Sequence, residues 1–189
     1  MVRIIAGRWG GRALATLPEG VLRPTQDRVR EGVFAHLESR LAGALIVDLY
    51  AGSGALGLEA LSRGAARVVF VDRGRVALRI LRKNIAGLGV AEEAVLIAAS
   101  AEVFLAGRRG NWGPVGMLFA DPPYGTIDGA WLGGVASAAG IEWAPAALLI
   151  LESSCREEEP APAPGWRRCW RRWYGETRVV VDERESEDG

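Results

Sequence analysis

The chain has little of what most metal, redox and export chemistries require. Among 189 residues there are two cysteines, Cys155 and Cys169, and one histidine, His36. Two cysteines so placed make neither a disulfide framework nor a ligand set, and a lone imidazole completes no metal cluster. They read as ordinary thiols of a reducing cytoplasm. No run of 18 or more apolar residues occurs, which argues against a membrane helix. The start, MVRIIAGRWGG, lacks the apolar stretch of a secretory signal. No long repeat is visible. Lysine is nearly missing too: Lys83 stands alone among 23 basic residues. These are balanced by 23 acids, so no global basic field announces a nucleic acid. Arginine abundance can follow genomic base composition, so its placement says more than its number. Residues 1–30 hold six arginines (Arg3, Arg8, Arg12, Arg23, Arg28, Arg30) against Glu19 and Asp27, a net +4. The tail after Val181 holds five acids and one arginine and reads as frayed and solvated.

What is present is one good core and two chemical motifs. A chain that is 49% hydrophobic at this length supports a single enzyme domain. The apolar run Val115 to Ala120 reads as a buried strand and ends in Asp121-Pro122-Pro123-Tyr124. The exocyclic amine of a nucleobase is a poor nucleophile, because its lone pair is delocalised into the ring. An acceptor pair, the Asp121 carboxylate and the Pro122 carbonyl, can hold both N–H groups and favour the pyramidal, attacking nitrogen. Pro122 and Pro123 rigidify the turn. The Tyr124 ring can stack on the base, worth roughly 1–3 kcal/mol. A plain sharp turn with an Asp cap and a core tyrosine would leave the same four residues.

The second motif is strand, glycine-rich turn, helix. Leu45 to Tyr50 reads as a strand, Ala51-Gly52-Ser53-Gly54-Ala55-Leu56-Gly57 as the turn. Val68 to Asp72 is the next strand, and its terminal acid suits the two hydroxyls of a ribose. Gly52-x-Gly54-x-x-Gly57 also satisfies the dinucleotide fingerprint, so a nicotinamide or flavin enzyme competes. Asp48 favours S-adenosylmethionine: at the end of the first strand it would repel a pyrophosphate and welcome a methionyl ammonium. The Asp-Pro-Pro-Tyr turn has no role in hydride transfer.

The pattern predicts short strands at 2–6 and 12–17 as a hairpin, then a helix over 26–41 with Thr25 as N-cap. Strands at 45–50, 67–72, 94–98, 115–120 and 146–152 alternate with helices at 55–63, 75–88, 101–107 and 128–139. Alternation of this kind implies a parallel sheet with helices on both faces. Residues 156–165 read as a loop. Residues 167–174 and 177–181 read as a closing hairpin turning at Gly175-Glu176. Asp48, Asp72, Ser100-Ala101 and Asp121 then all fall at or just after carboxyl ends of strands, where α/β sheets bind ligands.

On these residues the chain resembles the RsmD family, bacterial methyltransferases of 16S ribosomal RNA that modify a guanine on its exocyclic N2. The matching blocks are Arg3 to Arg12 (RIIAGRWGGR), Leu22 to Glu31 (LRPTQDRVRE), Asp48 to Ala60 (DLYAGSGALGLEA), Asp72 and Asp121-Pro122-Pro123-Tyr124. The similarity runs over nearly the whole chain. The glycine-rich and Asp-Pro-Pro-Tyr motifs occur in many amino-methyltransferases, and the two N-terminal blocks narrow the match. Many relatives carry Phe where Tyr124 stands. Residues 154–173 match least, so no role is carried over there.

The resemblance implies a Rossmann-like class I S-adenosylmethionine-dependent methyltransferase. Its sheet would be seven-stranded and mostly parallel, with a small N-terminal hairpin and helix. It implies the cofactor S-adenosyl-L-methionine, held by Asp48, Tyr50, Ala51, Gly52, Ser53, Gly54, Leu56, Gly57, Asp72, Arg73, Ser100 and Ala101. Catalysis would fall to Asp121, Pro122, Pro123 and Tyr124, with no metal. The substrate would be a G966-type guanine on the small ribosomal subunit or its assembly intermediate. RNA contacts are expected from Arg3, Arg8, Arg12, Arg23, Thr25 and Arg28. Residues 1–44 would form the RNA-contacting extension, 45–182 the methyltransferase domain and 183–189 an acidic tail, in a cytoplasmic monomer. Rival readings are a DNA adenine-N6 methyltransferase, which would usually need a larger target-recognition region, and a non-catalytic ribosome-assembly module. A protein-glutamine methyltransferase is disfavoured by Asp121, since that class prefers Asn-Pro-Pro-Tyr.

Overall fold

A two-stranded hairpin opens the chain: β1 (Val2–Arg3) pairs antiparallel with β2 (Ala13–Leu14). The structure is a computed structural model, and it describes residues 2–17, 27–107, 112–123, 125–138 and 141–185. The hairpin strands are shorter than the pattern predicts. The Ile5 and Ala6 N–H groups leave the ladder and donate to Glu59 instead. Helix α1 (Asp27–Leu41) follows; the expected cap Thr25 and first residue Gln26 lie outside the described residues.

From there strands and helices alternate as their periodicity dictates. The strands are β3 (Leu45–Leu49), β4 (Arg67–Asp72), β5 (Ala94–Ala98) and β6 (Val115–Ala120). Then come β7 (Trp143–Ser154), β8 (Trp166–Tyr174) and β9 (Thr177–Arg184). The intervening helices are α2 (Ala55–Ser62), α3 (Arg75–Leu88), α4 (Ala101–Ala106) and α5 (Gly129–Ala136). The sheet order is β5-β4-β3-β6-β7-β9-β8, with β9 antiparallel to both its neighbours and the remaining pairings parallel.

Strands covered on both faces read as continuous apolar runs, and β3 is buried throughout. One face carries α1, α2 and α3, with Phe34, Leu37, Leu58 and Leu81 packed on Ile46, Phe70 and Phe119. The other carries α4 and α5, with Phe104 and Leu132 on Val47, Leu118 and Leu149. Each such fully buried side chain contributes about 1.5–3 kcal/mol. Among the described residues no helix is long and apolar enough to cross a membrane.

Two expected boundaries are corrected. Strand β7 begins at Trp143 rather than 146: Trp143 already pairs with Val115, ahead of an irregularity in the β6–β7 register at which Pro145 falls. Residues 182–184 are not part of a frayed tail, and 186–189 lie outside the described residues. Strand β9 continues to Arg184, and Asp182 is fully buried and paired with Arg168. Asp182 and Glu183 stand opposite Arg168 and Arg167 of β8, which supply the countercharge that composition alone does not reveal.

Candidate active site

The strand order brings the predicted acids to one edge. Strands β4, β3 and β6 are neighbours, with Leu49 opposite Val71 and Ala120. Asp48, Asp72 and Asp121 therefore stand at the carboxyl ends of three adjacent strands. Chain order reverses direction at β3, and open α/β sheets bind ligands at such a switch.

Between β3 and α2 the chain turns sharply. Tyr50 adopts φ 57° and Gly54, the N-cap of α2, φ 82°. A Cβ at Gly54 would also meet Leu81 of α3, so backbone conformation and packing both require glycine there. Two acids hold the turn. Asp72 accepts from the Gly52 N–H at 2.9 Å through Oδ2 and from the Gly74 N–H at 2.7 Å through Oδ1. Asp48 is 2% exposed and accepts from the Gly57 N–H at 3.0 Å. Burial pushes the Asp48 carboxyl up to about 7; the Gly57 bond opposes the rise, and the nearby Asp121 and Asp72 add to it. Among the described residues no cation forms an ion pair with Asp48.

These residues fit S-adenosylmethionine. A buried acid without a described countercharge complements a cationic methionyl group. Asp72 is half-buried and keeps acceptor capacity beyond its two backbone bonds, as a diol needs. Ser100 caps α4, accepting from the Val103 N–H at 3.3 Å, and Ala101 is buried behind it. Arg73 is exposed beside this group.

A link absent from the sequence reading ties the site's far side together. The Tyr50 hydroxyl donates to Glu102 at 3.3 Å and accepts from the Trp131 indole N–H at 3.1 Å. Burial, more than any other cause, raises the Tyr50 phenol to about 12, so it remains a neutral donor. A hydrogen bond from Ser100 is the largest cause lowering Glu102, with Tyr50 and Arg73 assisting. Nothing in local spacing connects Tyr50 with residues 52 and 81 positions away.

Asp121 and Pro122 are half-buried and Pro123 exposed at the end of β6. Tyr124 lies outside the described residues. The turn continues through the Thr126 N–H to the Pro123 carbonyl at 3.3 Å, and the Gly125 N–H donates to Glu157 at 2.6 Å. Asp128 then caps α5 through the Trp131 N–H at 2.8 Å, which places it just outside the helix expected from residue 128.

The N-terminal hairpin is strapped to α2. Glu59, fully buried, accepts from Ile5 N–H at 2.6 Å, Ala6 N–H at 3.1 Å and Arg63 Nε at 2.7 Å. The Ser62 hydroxyl accepts from the Trp9 N–H at 3.0 Å and donates to the Ala6 carbonyl at 2.6 Å. Any Cβ at Gly7 would collide with the Ser62 carbonyl, so glycine permits this close approach. Further on, Asn84 of α3 accepts from the Ala15 N–H at 2.8 Å, and its amide donates to Ala15 O at 3.0 Å and Ser53 O at 2.9 Å. A glutamate in an apolar eight-residue helix and an asparagine on the buried stripe of α3 were signals that could have revealed both attachments.

Of the expected RNA-contacting residues, Arg3, Arg8, Arg12 and Arg28 are exposed. Arg8 lies over the Trp9 ring at 4.8 Å, and Arg12 donates to the Gly87 carbonyl at 2.8 Å. Arg23 and Thr25 lie outside the described residues. Arg30, counted in the basic excess, does not belong to it. It is fully buried and donates to Asp27 at 2.6 Å and to the Arg3 carbonyl at 2.8 Å.

A seven-stranded sheet in this order, with a single reversed strand next to the edge and a glycine turn at the switch, defines a class I S-adenosylmethionine-dependent methyltransferase. The comparisons agree. The family described as Conserved hypothetical protein 95 matches residues 2–182. Ribosomal RNA small subunit methyltransferase D of Escherichia coli K12 is 35% identical, over 98% of this chain and 91% of that protein. The structure of yhhF from Escherichia coli has a TM-score of 0.83 at 32% identity, covering 98% of this chain and 99% of that one. A methyltransferase from Geobacter sulfurreducens shares the fold, with a TM-score of 0.64 at 17% identity over 86% of this chain and 80% of its own. The chain belongs to the RsmD family.

Proposed function

We propose that this protein methylates the exocyclic N2 of a guanine in 16S ribosomal RNA, at a G966-type site on the small subunit or its assembly intermediate. One observation carries the chemistry: the Asp121-Pro122-Pro123 turn leaves β6 directly beside the strand that ends in the glycine turn. A nucleobase acceptor pair thus stands one strand from the cofactor cradle. The relatives named for small-subunit ribosomal RNA supply the substrate class.

Asp48 and the turn amides hold the methionyl end, Asp72 the ribose, and Ser100-Ala101 edge the adenine. S-adenosylmethionine supplies an electrophilic methyl group. Asp121 and the Pro122 carbonyl accept from the guanine N2 and aim its lone pair. Tyr124 stacks on the base, which is unstacked from its RNA context. The proton leaves N2 after transfer, with Asp121 the nearest acceptor. Residues 1–44 grip the RNA through Arg3, Arg8, Arg12, Arg23, Thr25 and Arg28, while 45–182 bind the cofactor. The enzyme acts as a cytoplasmic monomer.

The test is mass-spectrometric mapping of modified nucleotides in small subunits treated with wild type or Asp121→Ala. Wild type should yield N2-methylguanine. Asp121→Ala should bind cofactor normally and lose on the order of 10²-fold or more in single-turnover rate, as removal of other preorganised polar groups does. Near-normal transfer by that variant, or a product methylated elsewhere, would refute the assignment.

A further inference from the structure

Asn84 bonds both the end of the N-terminal hairpin and the glycine turn. It lies on α3 among Leu81, Ile85 and Leu88 and is 5% exposed. A primary amide on an apolar stripe is costly unless its hydrogen-bonding positions are filled. Here they are filled by two separate segments. Toward the hairpin, it pairs with both the N–H and the carbonyl of Ala15, as a neighbouring strand would. Toward the site, it donates to the carbonyl of Ser53, the middle residue of Gly52-Ser53-Gly54. Ala15 leads directly into the segment that carries Arg23 and Thr25. The backbone at Ala15, three residues after Arg12, is therefore held by an amide that also bonds the glycine turn.

We propose that Asn84 is a positioning residue that couples cofactor binding to ribosomal RNA binding, so that each ligand tightens the other. The coupling rests on the function proposed above, with the cofactor on the glycine turn and the RNA on the N-terminal segment. A ligand seated on the turn fixes the Ser53 carbonyl and, through one rigid amide, the Ala15 backbone. The second ligand then meets a hairpin whose Ala15 end is already held, and its binding is the stronger by the restraint it no longer supplies. Coupling is reciprocal, so RNA must strengthen cofactor binding by the same factor.

The experiment measures affinity for small ribosomal subunits with and without saturating S-adenosylhomocysteine, in wild type and Asn84→Asp. The aspartate keeps the acceptor for the Ala15 N–H and loses both donated bonds. Wild type should gain about tenfold in subunit affinity with S-adenosylhomocysteine, within the usual range of coupled sites. In Asn84→Asp that ratio should fall to about one. A merely structural role would lower individual affinities and leave their ratio unchanged. Hydrogen exchange on the wild type gives a variant-free arm: protection of the Ala15 amide should rise when S-adenosylhomocysteine binds. A wild-type ratio of one, an unchanged ratio in Asn84→Asp, or no change at the Ala15 amide would overturn the coupling. Absence of subunit binding by the wild type would instead overturn the function on which it rests.

Discussion

At one end of the chain, Arg3, Arg8, Arg12 and Arg28 are exposed, and none of the ion pairs among the described residues includes them. At the other, β8 is as rich in arginine, but three of its four arginines face carboxylates. Arg167 pairs with Glu183 at 3.1 Å, Arg168 with Glu159 at 2.6 Å and with buried Asp182, and Arg171 with Glu159 at 3.4 Å. Equal arginine content thus has two different physical meanings. A guanidinium facing water can exchange counterions for phosphates. One already facing a carboxylate has less field to offer, and serves to hold a strand. The contrast favours the N-terminal region as the RNA grip and gives the Trp/Arg-rich strand a structural role.

The largest test of the contrast lies in β8. Arg168→Ala leaves Asp182 buried without its partner and should cost about 3–5 kcal/mol of stability in urea unfolding. Arg168→Met combined with Asp182→Leu should recover most of that loss, since both charges go together. Little loss in the single variant would mean that the pair is not structural.

At the N-terminal end, combined Arg3→Ala, Arg8→Ala and Arg12→Ala should flatten the salt dependence of subunit binding by up to roughly 3 log units per log salt. Cofactor affinity should not move. A double change at the paired Arg167 and Arg171 should leave the salt slope as it was. The reverse outcome would exchange the two roles.

A third test sets a buried acid without a countercharge, Asp48, against the paired Asp182. Its folded pKa, near 7, is raised above its ordinary 3.8. The free protein therefore holds an extra proton between those values, and its stability falls as pH rises across that window. A cationic ligand pulls the pKa back down. Cofactor affinity should then rise with pH, by at most about tenfold per unit below pH 7, and level off above it. Titration calorimetry in buffers of different ionisation enthalpy should register proton release on binding at pH 6. A flat profile across that range would remove the charge from the interaction.

The smallest effect is expected at exposed pairs. Arg167→Ala or Arg156→Ala removes one surface ion pair each, with Glu183 and Glu176 respectively, and should change stability by no more than about 1 kcal/mol.

Much of the fold was legible because each element carried its own period. The strand that carries Asp48, the glycine turn and the strand that leads into Asp121 fall where their local patterns place them. The attachments between elements were not legible. Glu59 reaches Ile5 across 54 positions, and Asn84 reaches Ala15 across 69. Neither pairing leaves a trace in local spacing; only a polar residue on an apolar face hints at it. Arg30 misled for the same reason. Composition counts a charge, and only packing shows that this one is buried beside Asp27. Asp182 and Glu183 looked solvated until β8 supplied their partners.

The strap between the hairpin and α2 also bears on how the chain is made. Ile5, Ala6 and Trp9 each bond a side chain 53 or 54 positions further along. During synthesis residues 5–9 emerge before Glu59 and Ser62, which must follow before the hairpin has anywhere to dock. Contacts of such separation come late, because the intervening loop must close before they reward it. Residues 5–9 are thus made before, but take their places after, the residues that hold them, and the basic surface forms only after the sheet's central unit. In pulse-labelled hydrogen exchange during refolding, the Ile5 and Ala6 amides should gain protection no earlier than those of α2. Earlier protection would mean that the hairpin stands by itself.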